Sequence, residues 1–302
     1  MTPTDWPSLT HQISLADRLF GQRGAKLLGA WLHEQIERIT DPAFARLFSD
    51  HIDLPGIVPS DYNHRLIEIG GQRLLGGIRF YGGDVERPFV DIVAHGFEDW
   101  EQLRDCVTAE WASFAPRHFR TLVAAGAALP NGAHVDMTVF AARYRDMAPA
   151  DGRLTLVPFV DVEEAVGMVA ARYEELARTQ PTLARNISAA DADDLRRWHN
   201  EGRLRAIRAA VEGIERTVGL FTSAPGSVEW IDGDEVNEEV VLHAFNGNGF
   251  AASAQKVWAA RPDLDPDRLL IGTIDGLNAA SRRSAQRAGR EAILNYVFVP
   301  LC

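Results

Sequence analysis

The sequence predicts a mixed α/β protein in which helices and a mixed sheet recur in two consecutive domains. Three observations lead there. The 302 residues exceed what one compact core needs, at roughly 150 residues per domain. Strand-like and helical periodicities alternate along the chain, and the same order of elements is read twice. Between the two runs, Met147-Ala148-Pro149-Ala150-Asp151-Gly152 carries the Pro and Gly of a linker. This puts the expected domains at 1–148 and 149–302.

Leu15 to Ile39 has apolar residues at helical spacing, among them Leu19, Leu27, Leu28, Trp31, Leu32 and Ile36. Arg65 to Ile69 and Leu74 to Phe80 read as strands that turn at Gly70-Gly71 and at Gly82-Gly83-Asp84. Pro88 to Ala94 is a third strand, rich in β-branched and aromatic residues. Trp100 to Phe114 returns to helical spacing, and Val135 to Tyr144 reads as a strand. In the second half, Leu154 to Val160 is a strand and Val162 to Arg178 an amphipathic helix. Ser188 is the expected N-cap of a further helix ending near Gly202. Strands follow at Leu204 to Ala209, Val218 to Thr222 and Val236 to Phe245, then a Gly-rich turn and a helix from Ala251 to Ala260. Leu269 to Ile274, Asn278 to Ala288 and Ile293 to Leu301 read as strand, helix and strand.

Composition narrows the function classes. A hydrophobic content of 46% with 24% charged residues belongs to a globular chain. The net charge of −11 argues against a broad nucleic-acid footprint, which needs a basic surface. Cys106 and Cys302 are far apart, so a structural disulfide is not expected, and a reducing compartment is. The N-terminus has no basic flank followed by an apolar run, and no window of about 18 apolar residues occurs. The expectation is a cytoplasmic protein without a membrane span.

The most informative stretch runs from Glu235 through Glu238, Glu239, Val241, Leu242 and His243 to Asn246-Gly247-Asn248-Gly249-Phe250-Ala251. A strand with carboxylates enters a turn with two glycines and then a helix. Glycine lets backbone approach a ligand closely, and the helix supplies unpaired N–H groups and a positive dipole end, a seat for a diphosphate. A plain surface turn has the same look. Further on, Asn278 stands between a strand and a helix that ends at Gly289, where an N-cap and a C-cap would also stand.

In this order, the pieces resemble the Gcn5-related N-acetyltransferases (GNAT). That family's diphosphate motif is Gln/Arg-x-x-Gly-x-Gly/Ala; here Gly249 and Ala251 match, and Asn246 replaces the first residue. The family's later strand-Asn-helix-Gly pattern matches at Asn278 and Gly289, with Ser281 where many members have Ser or Ala. The resemblance covers Leu154 to Leu301 and implies two tandem acyl-CoA N-acyltransferase-like domains. It implies acetyl-CoA, or another acyl-CoA, as co-substrate, no metal, and transfer to a primary amine of a small molecule by direct attack. Backbone around Val241, Leu242 and His243 would orient the thioester. Amides of Asn246, Gly247, Asn248, Gly249, Phe250 and Ala251 would hold the diphosphate, with Asn278 and Ser281 near the pantetheine arm. Reaction needs a base for the amine and donors for the developing negative charge.

Many members carry a carboxylate on this strand, and alternation lets only one of Glu238 and Glu239 face the cleft; Glu239 shares its face with Val241 and His243. Both also read as solvated or salt-bridged carboxylates, and His243 as a packed histidine or as itself a base near neutral pH. Ala285 stands where members with a tyrosine acid have that tyrosine, leaving Ser281, a water or a distant residue for the role, while Arg282 or Arg283 would offset the missing phosphate contact of Asn246. In the first half, the corresponding turn reads His95-Gly96-Phe97-Glu98-Asp99-Trp100, whose acids repel a diphosphate. That half is expected to be a degenerate acetyltransferase-like domain, with Tyr62, Arg79, Tyr81 and Asp91 as candidates for acceptor contacts. The alternatives are an aminoacyltransferase drawing on charged tRNA, which the acidic charge opposes, and a CoA-binding regulatory protein. A monomer or homodimer is expected.

Overall fold

A computed structural model describes residues 1–301 of the chain. The chain forms two compact units. The first comprises Met1–Met137, Glu229–Ile231 and the residues from Leu294 onward; the second comprises Thr138–Val228 and Asp232–Ile293. The changeover at Met137/Thr138 precedes the expected one at 148/149, and two later segments return to the first unit. The expected linker is packed at its start, where Met147 is buried and the Ala148 amide donates to the carbonyl of Ala288 at 3.0 Å, and exposed over residues 149–152.

In the first unit, helices α1 (Thr10–Phe20), α2 (Gln22–Glu37) and α3 (Pro42–Ser49) precede β1 (Arg65–Ile69), β2 (Gln72–Phe80) and β3 (Pro88–His95). Helix α4 (Trp100–Glu110) and strand β4 (His118–Ala124) follow. The single helix expected over 15–39 is two, separated at Gly21 with φ 55°. Strand β4 and helix α3 were not anticipated. The helix expected to run to Phe114 stops at Glu110, and a short 3-10 turn covers Ala112–Phe114.

Next come β5 (His134–Arg143), β6 (Leu154–Pro158), α5 (Val162–Thr179), α6 (Pro181–Ala184), α7 (Ala192–Asn200), β7 (Arg205–Val211), β8 (Ile214–Val228) and β9 (Ile231–Val241). Helix α8 (Phe250–Ala259), strand β10 (Leu269–Asp275), helix α9 (Ala279–Ala288) and strand β11 (Glu291–Pro300) complete the chain. Helix α7 is capped by Asp191, whose side chain accepts from the Asp194 amide at 2.7 Å, and not by Ser188; the short α6 occupies the chain before it.

The first unit's strands are ordered β1-β2-β3-β4-β11 and the second unit's β5-β10-β9-β8-β7-β6. Each set is mixed. β1/β2, β2/β3 and β4/β11 are antiparallel in the first and β6/β7 and β7/β8 in the second, while β3/β4 and β9/β10 are parallel. The first unit's core gathers Leu74, Ile78, Leu103, Val107, Trp111, Phe119, Val297 and Val299. Alternation along β7 and β8 splits the second unit's core between two sheet faces: Ile207 and Phe221 join Trp258 and Leu270, while Ala206 and Leu220 join Val169, Leu195 and Trp198. Among the described residues, no helix is long and apolar enough to cross a membrane. Cys106 is buried with a free thiol; Cys302 lies outside the described residues.

Candidate functional site

The site lies at the C-terminal ends of the neighbouring strands β9 and β10, lined by β9 and by residues that follow each strand. Their parallel register runs over Leu270 with Asp234 and Ile271 with Glu235, although β9 continues to Val241 and β10 to Asp275. Beyond that short ladder lies a cavity of about 450 Å³. Its lining comes from β9 (Glu239, Val241), from the turn and start of α8 (His243 to Ala251), from α9 (Ala280 to Arg287) and from α5 (Arg172, Thr179). Backbone groups freed where parallel strands part need partners, and a ligand lying between them can supply these.

The turn is set by Gly247 and Gly249, at φ 83° and 78°, a region where a Cβ is strained. Gly249 is the N-cap of α8, and the helix's first internal bond is from the Ser253 amide to the Gly249 carbonyl at 3.1 Å. The amides of Phe250, Ala251 and Ala252 therefore precede the helical ladder and lie at its positive end. Arg153 braces the turn from outside, donating to the Asn248 carbonyl at 3.0 Å and the Ser253 hydroxyl at 2.7 Å. Positive charge reaches the cavity from Arg172, Arg283 and Arg287.

The two carboxylates of β9 part as alternation requires. Glu238 is buried on the α5/α7 side, accepting from the Ala190 amide at 3.0 Å. Glu239 lines the cavity and accepts from Gln255 Nε2 on both oxygens, at 2.9 and 3.0 Å. The Oε1 of Gln255 accepts in turn from Arg290 Nε at 3.0 Å, and both residues are buried. Burial pushes the Glu239 carboxyl up to about 7, against the lowering effect of Gln255 and of the Arg290 charge. Burial likewise brings Arg290 down to about 10, opposed by Glu239.

The other anticipated residues are placed as follows. Val241, His243, Asn246, Gly247, Gly249, Phe250, Ala251, Asn278 and Ser281 line the cavity. Leu242 does not; its amide is spent on the Val218 carbonyl of the neighbouring β8, at 2.9 Å. Nor does Asn248, whose side chain bonds back to the Phe245 carbonyl at 3.0 Å. His243 is exposed at the rim, its Nδ1 3.8 Å from Glu175 Oε1. Asn278 caps α9, accepting from the Ser281 amide at 3.1 Å. Ala285 is fully buried beside Phe140 and Ile274. Arg282 turns away to Thr138 Oγ1 at 2.7 Å, whereas Arg283 faces the cavity. Gln255 and Arg290 escaped the sequence reading. Their signal was faint: a Gln amid the apolar and small residues of α8, and a charge at the head of the apolar strand β11.

In the first unit the matching place is built differently. Parallel β3 and β4 stay in register over four pairs, from Phe89 with His118 to Ile92 with Thr121. Past them, the His95 amide is taken by Ser8 Oγ at 2.8 Å and the Gly96 amide by the Arg73 carbonyl at 2.9 Å. The Asp99 carboxylate caps α4 by accepting from the Glu101 amide at 2.8 Å, so an anion already sits at that helix end. Of the four residues put forward in this half, Arg79 and Asp91 line a cavity, Tyr62 is buried with its hydroxyl on the Ile52 carbonyl at 2.8 Å, and Tyr81 donates to Asp136 at 2.8 Å.

No protein-family model matches the sequence, and no curated protein matches it. Solved structures similar to it include a GCN5-related N-acetyltransferase from Sphaerobacter thermophilus, at 13% identity over 100% of this chain and 94% of that one, TM-score 0.45. An acetyltransferase of the GNAT family from Colwellia psychrerythraea is similar at 10% identity over 88% and 95% of the two chains, TM-score 0.43. A conserved protein of unknown function from Bacteroides thetaiotaomicron is similar at 12% identity over 87% and 92%, TM-score 0.39. Similarity at this level says nothing of substrate or activity.

Proposed function

We propose that the second unit is an acyl-CoA-dependent N-acyltransferase of the GNAT type, moving an acetyl group to a primary amine of a small molecule. The observation that carries the reading is the short β9/β10 ladder opening onto a cavity that ends at the Gly247–Gly249 turn. The residues present fit a diphosphate carrier on three counts. Unladdered amides lie at the start of α8, both turn glycines hold positive φ, and Arg172, Arg283 and Arg287 supply countercharge. When bound, an acyl-CoA would supply the acyl group as an activated thioester.

The chain's own part is to hold that arm between β9 and β10 and to manage the two protons that the amine nitrogen loses. An amine enters as an ammonium and must lose a proton before it can attack. Glu239, in the cavity wall and with its carboxyl pushed up to about 7, is matched to accept it near neutral pH. Gln255 fixes the carboxylate's orientation by bonding both oxygens, and Arg290 fixes Gln255. As the C–S bond breaks, the nitrogen gives up its second proton, and the Ser281 hydroxyl, which lines the same cavity, is placed to relay that proton to the departing thiolate. The test is thiol release from acetyl-CoA across a panel of small amines. Amine-dependent release supports the enzyme; stabilisation by acetyl-CoA without release leaves a binding protein; neither effect ends the proposal. Ligand at 100 times its Kd should add about 2.7 kcal/mol to stability.

A further inference from the structure

A second cavity, of about 350 Å³, is lined wholly by residues of the first unit and shares no lining residue with the cavity at the Gly247–Gly249 turn. Its walls are largely aromatic, with Trp31 from α2, Phe44 and Phe48 from α3, Phe89 from β3 and Tyr296 from β11. Its charged groups can be accounted for one at a time. Arg120 holds Asp91 with two bonds of 3.0 Å, and Asp136 lies 3.3 Å from its Nη1. Glu229 accepts from Trp31 Nε1 at 2.9 Å and from the Tyr296 hydroxyl at 2.5 Å. Burial raises the Glu229 carboxyl and pushes His64 down to about 3, so that this histidine is neutral at physiological pH. Arg38 is shared with Glu34 and Gln35.

Arg79 is left over. Its guanidinium lies 4.8 Å from the Phe44 ring centre and 4.4 Å from that of Phe48, and it donates to the Tyr62 carbonyl at 3.2 Å and to His64 at 3.3 Å. Among the described residues no carboxylate makes an ion pair with it; Asp91, bonded to Arg120, acts on its charge only from beyond ion-pair distance. The space beneath is kept by Gly77, where a Cβ would stand 2.9 Å from His64 Nδ1 and 3.1 Å from Arg79 Nη1. Arg38 lies against the same Phe44 ring, also at 4.8 Å, and its charge acts on Arg79. Like charges in a half-buried, apolar-walled space repel, and an anion between them removes that cost.

We propose that this cavity is a second ligand site, for a small organic carboxylate with an apolar or aromatic body. The carboxylate sits on the Arg79 fork with Arg38 beside it, a geometry in which guanidinium binds a planar two-oxygen anion well. The body packs among Phe44, Phe48 and Tyr296. A bare alkylammonium is disfavoured by the Arg79 and Arg38 charges, which separates this site from the amine acceptor proposed for the second unit.

Calorimetry or ligand-observed NMR on the full chain tests it, using benzoate, phenylacetate and isovalerate against their carboxamides. At least one acid should bind about tenfold or more tightly than its amide, which is at least one factor of ten in Kd. Excess acetyl-CoA should leave that binding unchanged. Arg79→Gln should abolish the preference for the acid, and Arg38→Gln, at the C-cap of α2, should weaken the acid by a few-fold without loss of fold. Equal binding of acid and amide, displacement of the acid by acetyl-CoA, or no acid binding at millimolar concentration would each overturn the site. The acid–amide comparison and the acetyl-CoA competition use the unaltered chain, so they decide the matter even if Arg79→Gln does not fold.

Discussion

Glu239 is half-buried and opens onto the cavity, and the consequences of its environment can be separated experimentally. As a base it should impose an acid limb on the pH profile of kcat/KM, with an apparent pKa about 7. Glu239→Gln should remove that limb and lower kcat/KM by about a hundredfold to ten-thousandfold. If the limb persists in the variant, the base is another group. Gln255→Leu should act through Glu239: it removes bonds that lower the carboxyl's pKa, so the limb should move to higher pH while the KM for acetyl-CoA changes little. Stability carries the opposite sign to the usual acid. Because the folded pKa lies above the unfolded value of about 4.3, the folded state holds the proton more tightly. Its contribution is intact below about pH 4.3 and is lost as pH rises through about 7, by up to roughly 3 kcal/mol. Urea midpoints at about pH 5 and about pH 8 should therefore differ less for Glu239→Gln than for the parent chain. An unchanged difference would sink this account.

At the level of elements, the proposed acyl-CoA site is divided between the turn into α8 and the cavity side of α9. Gly249→Val places a branched side chain at φ 78° and within reach of Arg153, which lies 3.2 Å from the position of a Cβ. We expect the KM for acetyl-CoA to rise about tenfold or more, together with a loss of about 1–2 kcal/mol of stability from the left-handed backbone. Arg283 and Arg287 are one helical turn apart on the cavity side of α9. Arg283→Glu with Arg287→Glu should raise the same KM, and more steeply at low salt, with kcat little altered. A fall in kcat at constant KM would instead place these arginines near the acyl group. Much of this frame was legible in the sequence because its signals are local. The carboxylate strand, the glycine turn, the helix after it and the Asn278 cap each declare themselves within a few residues. What escaped depended on distant partners. Strand β4 holds His118, Arg120 and Thr121 among its apolar residues, and Arg120 is accommodated only through Asp91 and Asp136. The Glu239–Gln255–Arg290 chain joins three elements, and nothing near any of its members points to the other two. Periodicity also reads 15–39 as one helix because Gly21 interrupts it without shifting the apolar stripe.

On the scale of the whole molecule, chain order and unit membership diverge, which local pattern cannot reveal. The residues from Leu294 onward follow the second unit in sequence yet belong to the first. There β11 pairs with β4 over seven positions, from Leu294 with Ala124 to Pro300 with His118. It also places Val297 and Val299 in the first unit's core, almost without exposure. Ending the chain at Ile293 removes those two side chains, each worth about 1.5–3 kcal/mol when buried, and strips the hydrogen-bonding edge of β4. The loss should therefore fall on the first unit. Hydrogen exchange should show protection collapsing in β2, β3 and β4, while amides of β7, β8 and α8 in the second unit retain theirs and still gain protection on addition of acetyl-CoA. Loss confined to β9 and β10, with β4 unaffected, would contradict the assignment of the terminal strand.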